Sequence, residues 1–322
     1  MIEKLGVRLV SPAIIGGAVP RKCDDPPTLR VPELRGLLRF WTRALGGAGF
    51  RELEETLWGS TRIGQRVTIR ATSVGGPPEL RRPDQPLFPH KPRAESTPTQ
   101  MIAPGAGFEL RFGVPDLGPA YRERLQAVVW TALHLGAVGR RSRRGYGSLQ
   151  WLPHPGDLLA GFLEPPFDPT TDLASETALQ AYVLRGLTRV CSILGRPAGT
   201  VPPTARTSGN WFELRTVDQV FVGKALAADY TGRPAGMEEL IHGFRRPKQD
   251  PESRQLGTID GMRLASPMLW RVYHLTGGSF VPVMTWSPRE GVNSLTPGTP
   301  MHGYLSRTLG FSLSLAGLPL SR

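Results

Sequence analysis

Cysteine is nearly absent from this 322-residue chain, since Cys23 and Cys191 are the only two and form no CxxC pair. That excludes a disulfide framework and a cysteine-rich zinc site, and it fits a reducing cytoplasm. No stretch reaches the roughly 20 consecutive apolar residues of a membrane span. The N-terminal residues Met1 to Val19 are interrupted by Arg8 and Pro12, and no export-type cleavage pattern follows them. Histidine is sparse as well: His90, His134, His154, His242, His274 and His302 are scattered. None precedes His90, so no imidazole is available near the first helix as a general acid or base. The GxxxxGK phosphate loop, the GxGxxG fingerprint, HExxH and a paired His-Asp metal site are all missing. The expectation is a cytoplasmic protein with no cofactor, no metal and no catalytic group of a common kind.

Acidic residues are also in deficit, with 27 against 39 basic ones, for a net charge of +12 and a pI near 10.5. Such a balance favours a polyanionic partner over a small neutral metabolite. Of the 39, only five are lysines and 34 are arginines. A GC-rich coding bias accounts for the bulk of that excess, whereas clusters of arginine point to bidentate phosphate recognition.

The densest cluster is Gly139-Arg-Arg-Ser-Arg-Arg-Gly-Tyr-Gly-Ser148. Two readings fit it: a solvated basic loop, or a phosphate grip. Arg140, Arg141, Arg143 and Arg144 keep their charge and can each hold phosphate oxygens in pairs. Gly139, Gly145 and Gly147 allow positive φ, so amide N–H groups can converge on an anion and a ligand can approach the backbone. Tyr146, between two glycines, is then placed to stack on a base. The glycines and the aromatic ring favour the second reading.

With 322 residues the chain exceeds one comfortable core, so two domains are expected. Pro153, Pro155, Pro165, Pro166 and Pro169 mark a boundary. The division is an N-terminal domain over 1–155, a Pro-rich linker over 156–172 and a C-terminal domain over 173–322. The first part reads as strand (Lys4 to Val10), helix (Pro32 to Leu45), short helix (Arg51 to Trp58), strand (Arg66 to Ser73), strand (Gly107 to Gly113), helix (Pro119 to Val138) and strand (Gly145 to Trp151). The second reads as helix (Leu173 to Leu194), a mixed segment (Trp211 to Phe221) and strands (Met262 to Tyr273, Gly278 to Trp286). Strands and helices alternate in a split pattern, which implies an α+β fold of two ferredoxin-like (RRM-like) domains with antiparallel sheets and inserted loops.

Turned at about 100° per residue, the first helix places Leu34, Leu37, Leu38, Trp41 and Leu45 on one arc and Arg35, Arg39 and Arg43 on the next. No acid lies four residues from any of the three arginines on this helix. The stripe is thus a second candidate for phosphate contact, against the plainer reading of a solvated amphipathic face. Gly36, a poor helix former, suggests that something comes close at that turn. His134 reads as a satisfied structural histidine within an apolar helix.

Pro32-Glu-Leu-Arg-Gly-Leu-Leu-Arg-Phe-Trp-Thr-Arg-Ala-Leu45 resembles the tryptophan-bearing helix of the RAMP superfamily, the repeat-associated proteins of CRISPR effector complexes. Val10-Ser-Pro-Ala-Ile-Ile-Gly-Gly17, Glu55-Thr-Leu-Trp-Gly-Ser60, Gly139 to Leu149 and Arg263-Leu-Ala-Ser-Pro267 resemble further segments of that family, in the same order. The helix is most similar to the first-subunit branch of Cmr-type (type III-B) complexes. Leu57-Trp58 stands where the family has Ile-Phe, and Thr42 where it has a second tryptophan. The resemblance implies a ribonucleoprotein subunit in antiviral defence that binds guide and target RNA near the guide 3′ end beside other Cmr/RAMP subunits. It carries the phosphate contacts onto Arg35, Arg39, Arg43, Arg140, Arg141, Arg143 and Arg144, with Gly145 and Gly147. A related branch cleaves RNA with an aspartate before the corresponding helix, so Asp24 and Asp25 form the rival, endoribonuclease reading; a plain assembly factor leaves both arginine clusters unexplained.

Overall fold

The computed structural model describes residues 1–46, 50–82, 99–195, 219–223, 268–286 and 303. In chain order the first half runs β1 (Ile2–Leu9), α1 (Val31–Gly46), α2 (Phe50–Trp58), β2 (Thr68–Val74), β3 (Leu80–Arg81), β4 (Met101–Ile102), β5 (Gly107–Gly113), α3 (Pro119–Leu135) and β6 (Leu149–Leu152). Strand β1 alternates as a half-buried strand must: Glu3, Leu5, Val7 and Leu9 point inward. Its neighbours are β5 on one side and β6 on the other, and the four-stranded sheet runs β2-β5-β1-β6, antiparallel throughout. Helices α1 and α3 cover its inner face, burying Leu34, Leu38 and Trp41 with Leu125, Val129 and Leu133. Leu37 and Leu45, expected in that stripe, are only partly buried. The one inward carboxylate, Glu3, receives both arms of Arg122 from α3, at 2.9 and 2.7 Å, which clamps helix to sheet.

Helix α3 ends at Leu135 rather than at the expected Val138. Gly136 caps it, and a Cβ there would lie 2.4 Å from Trp41 Nε1, so only glycine leaves room for α1 at this end.

The second half holds α4 (Pro169–Asp172), α5 (Glu176–Ile193) and an antiparallel sheet β7 (Gln219–Val222), β9 (Phe280–Trp286), β8 (Met268–His274) in the order 7-9-8. Ser175 caps α5 by accepting the Ala178 N–H. Helix α5 lies on α3 with Gly186 against Trp130, where a Cβ would come within 1.8 Å of the indole. Part of the expected mixed segment and the start of the Met262 strand, including Arg263 to Pro267, lie outside the described residues.

The segment 156–172 is not a loose linker. It is irregular as far as Asp168, after which α4 begins, but Leu158, Leu159, Phe162, Leu163 and Phe167 are buried, and one core cluster runs through both halves. Asp157 organises the strap by accepting from Trp151 Nε1 and from the His154 and Leu159 amides, while the Leu158 N–H bonds to Lys4.

His134 sits at the junction, fully buried. Its Nδ1 faces the Trp130 carbonyl at 2.8 Å, which can only accept, so Nδ1 carries the proton and Nε2 accepts the Tyr182 hydroxyl at 2.6 Å. The Tyr182 oxygen in turn accepts Trp130 Nε1–H. Burial, with the charge of Arg271, pushes this imidazole down to about 3, so it is neutral and structural, as the sequence suggested.

Candidate nucleic-acid interface

The arginine-rich loop joins α3 to β6 as a 3-10 turn over Ser142–Arg144, flanked by left-handed residues Arg141 (φ 61°) and Gly145 (φ 83°). Its backbone is committed to protein. The amides of Arg140 and Gly147 donate to Ile14 and Pro12, and that of Gly145 to Trp270 on β8, at 2.8–3.1 Å. Ser11 Oγ donates to the Gly145 carbonyl at 2.6 Å. The positive φ expected of the glycines is present at Gly139, Gly145 and Gly147. What approaches them, however, is the chain itself. A Cβ would meet the Ile14 carbonyl at Gly139, the Trp270 ring at Gly145 and the Val138 carbonyl at Gly147. Gly145 and Gly147 therefore position the loop and do not cradle a phosphate with their amides.

Tyr146 is a correction of the same kind. Its side chain is 1% exposed, so the ring packs in the interior and presents no face for a base. The surface of the loop is arginine: Arg140 is exposed, and Arg141, Arg143 and Arg144 are half-buried. Arg143 lies over the Phe40 ring of α1, 5.5 Å from its centroid, and burial lowers its guanidinium without discharging it near neutral pH.

The α1 stripe divides. Arg39 Nη1 donates to Glu54 of α2 at 2.7 Å, and Arg43 grips the same carboxylate with two bonds of 2.8 and 2.9 Å. Burial alone would raise the Glu54 carboxyl, but the hydrogen bonds and charges of Arg43 and Arg39 hold it below its ordinary value. The unbalanced stripe inferred from α1 alone is thus balanced across the helix pair, and Arg39 and Arg43 staple α1 to α2. Glu54 was missed because no helical spacing links residues of different helices. Its signal was present all the same: an acid on the apolar side of α2, beside Leu53 and Leu57, needs a partner. Arg35 has no carboxylate partner among the described residues, its Nε is buried without an acceptor, and it borders a small cleft of about 120 Å³ with Ser60.

The departures from the family pattern meet in the same helix pair. Trp58 Nε1 donates to Thr42 Oγ1 at 2.7 Å, and the Thr42 hydroxyl donates to the Leu38 carbonyl. One tryptophan on α2, satisfied by a threonine on α1, fills the space.

Between α1 and the arginine loop lies a groove of about 330 Å³, bordered by Glu33, Gly36, Phe40 and Trp41 on one side and Arg140 and Arg143 on the other. Gly36 is exposed, with open space where a side chain would begin. Asp24, the rival catalytic residue, accepts from the Ala18 amide at 3.0 Å and pairs with Arg30 at 3.2 Å, while Asp25 is exposed. Among the described residues no group of three His, Cys, Asp or Glu side chains is arranged to hold a metal ion, and no helix is long and apolar enough to cross a membrane.

Residues 7–150, which run from within β1 to within β6 and hold α1, α2, α3 and the loop, match the RAMP superfamily. The match takes in 144 of the 322 residues. Two Pyrococcus furiosus proteins are similar to it: CRISPR system Cmr subunit Cmr1-1, 32% identical over 144 residues, and Cmr1-2, 27% identical over 176 residues. The first match covers 38% of this chain and 40% of that protein, the second 44% and 90%. The chain thus spans about two-fifths of the first relative and most of the second. Its fold is shared by the apo crystal structure of Cmr1 from Pyrococcus furiosus, with a TM-score of 0.55 at 17% identity over 94% of this chain and 92% of that one. It is shared too by a chain of the type III-B Cmr-beta complex bound to cognate target RNA, with a TM-score of 0.51 at 12% identity over 96% and 98%.

Proposed function

We propose that this chain is a RAMP protein and an RNA-binding subunit of a type III-B Cmr effector complex, contacting guide and target RNA near the guide 3′ end without cutting either. We read the βαββαβ half as a ferredoxin-like domain, since its strand order is that of a split βαβ unit, and the β7-β9-β8 sheet with α5 as belonging to a second. The observation that carries the functional reading is the loop around the 3-10 turn, which holds four arginines, two in the turn and two just before it, on a backbone bonded to Pro12, Ile14 and Trp270. A cationic surface ordered before binding loses little conformational freedom when a phosphate chain arrives. Such contacts carry no sequence preference, which suits a subunit whose specificity comes from a guide. The engagement of Asp24 with Arg30 and a backbone amide supports a turn-forming role over an attack on a 2′-hydroxyl.

The test is single-stranded RNA binding titrated against salt. Replacing Arg140, Arg141, Arg143 and Arg144 by alanine weakens binding at every sequence and flattens the log–log salt slope by about 0.7 for each phosphate no longer neutralised. An unchanged slope removes the loop from the RNA surface. Product ends released by the purified protein, and abolished by Asp24→Ala with Asp25→Ala, replace the binding role with cleavage.

A further inference from the structure

The groove between α1 and the loop holds more than a charged rim. Trp41 is 1% exposed, yet its Nε1–H has no acceptor among the described residues, and the indole borders the groove. Buried donors are rarely left unmade, so this one marks a position where an acceptor is supplied from outside. At the other end, Glu33 Oε2 is likewise buried without a donor, although the Gly16 amide bonds the same carboxyl. Both residues belong to α1 and stand eight positions apart, about 12 Å along the axis. One flat base cannot reach both ends; a base with its ribose can.

The walls fit the same object. Leu37 and Leu269 are apolar, and Phe40 with Arg143 over it offers an aromatic and guanidinium surface of the kind on which bases stack. The volume of about 330 Å³ is at the lower end of small-ligand clefts, roughly 300–1,000 Å³, as expected for one nucleoside rather than a dinucleotide. Arg140 stands exposed at the mouth, where the flanking phosphate must pass. Gly36 keeps the mouth open, since any longer side chain there would project into the cleft.

We propose that this groove receives one unstacked nucleoside of the bound RNA, its base accepting from Trp41 Nε1–H and its ribose 2′-hydroxyl donating to Glu33. The inference rests on the RNA-binding reading and adds to it a site that tells RNA from DNA by the 2′-hydroxyl.

The test uses the full chain and a single-stranded oligoribonucleotide containing 2-aminopurine, whose emission reports unstacking. Gly36→Leu fills the groove from a helix surface position that touches nothing. It is expected to weaken binding about tenfold and to abolish the emission change, while the melting temperature holds or rises. Glu33→Ala is expected to bring RNA and DNA of the same sequence to within about twofold of each other. Wild-type affinity and emission in Gly36→Leu overturn the nucleoside site. So does a Gly36→Leu protein that binds RNA normally but no longer assembles with its partner subunits, because the groove then takes a protein side chain. Preserved preference for RNA in Glu33→Ala overturns the ribose contact. If the loop variants lose binding and Gly36→Leu does not, only this site fails; if the wild-type chain binds no RNA, the functional reading itself fails.

Discussion

Removing the Glu54 carboxylate separates the structural from the nucleic-acid role of the α1 arginines. Glu54→Ala deletes three charge-assisted hydrogen bonds of 2.7–2.9 Å and leaves Arg39 and Arg43 facing each other. Breaking a fully buried pair costs about 3–5 kcal/mol, and an exposed one about 0–1. Glu54 is 8% exposed, but the arginine side chains are 39% and 29% exposed, so water takes over part of their solvation. The value should fall between, at about 2 kcal/mol, which for a chain of this size lowers the melting temperature by roughly 3 °C. Arg39→Ala with Arg43→Ala strands the more buried partner and should cost at least as much, while the triple variant should regain part of the loss, a coupling measurable by calorimetry. The Glu54 carboxyl is held below its ordinary value, so its contribution is complete above the unfolded value and fades as pH falls through the folded one. Glu54→Ala should leave RNA affinity unchanged or tighter, because it removes only negative charge. Loss of RNA binding in the double arginine variant with no loss of stability would refute the staple and return both arginines to the RNA surface.

The buried imidazole of His134 gives a second pH dependence, with its folded value near 3 and its unfolded value near 6.5. Stability from this group is fully present above pH 6.5 and declines towards pH 3 by up to about 5 kcal/mol. His134→Gln, unable to take up the proton, should flatten a urea-unfolding series over that range, and an unchanged slope would show that another group governs it. Tyr146→Ala should lower the melting temperature by removing a core ring, at a cost of roughly 3–5 kcal/mol, whereas Tyr146→Phe should leave RNA affinity intact. A loss of RNA affinity in Tyr146→Phe at full stability would mean that the hydroxyl reaches the ligand.

Much of the first half was legible because its signals are local. Period-two burial in β1, the proline and acid at the start of α1, and the glycines with positive φ each follow from a few neighbouring residues. What failed to show depends on contacts distant in sequence. The loop glycines were read as places where a ligand nears the backbone, but only the fold reveals that Ile14, Val138 and Trp270 fill that space. Tyr146 looked exposed because two glycines flank it, but its ring is buried, and β8, more than 100 residues on, bonds the neighbouring Gly145 amide. Arg39 and Arg43 looked unpaired because helical spacing finds partners only within one helix. The prolines of 156–172 were read as a break in regular structure, yet Pro169 opens helix α4, and prolines say nothing about burial, which the interleaved leucines and phenylalanines decide.

The hydrogen bond from Trp58 to Thr42 bears on how such a helix pair changes over generations. Thr42 is wholly enclosed and Trp58 nearly so, so a second indole entering from α1 has no room while the first remains on α2. Nor does a phenylalanine on α2 leave the Thr42 hydroxyl any donor in place of the indole. The two positions form a single heritable unit: the large ring can sit on either helix, but a lineage passing from one arrangement to the other must alter both codons or traverse an intermediate that is overfilled or hollow.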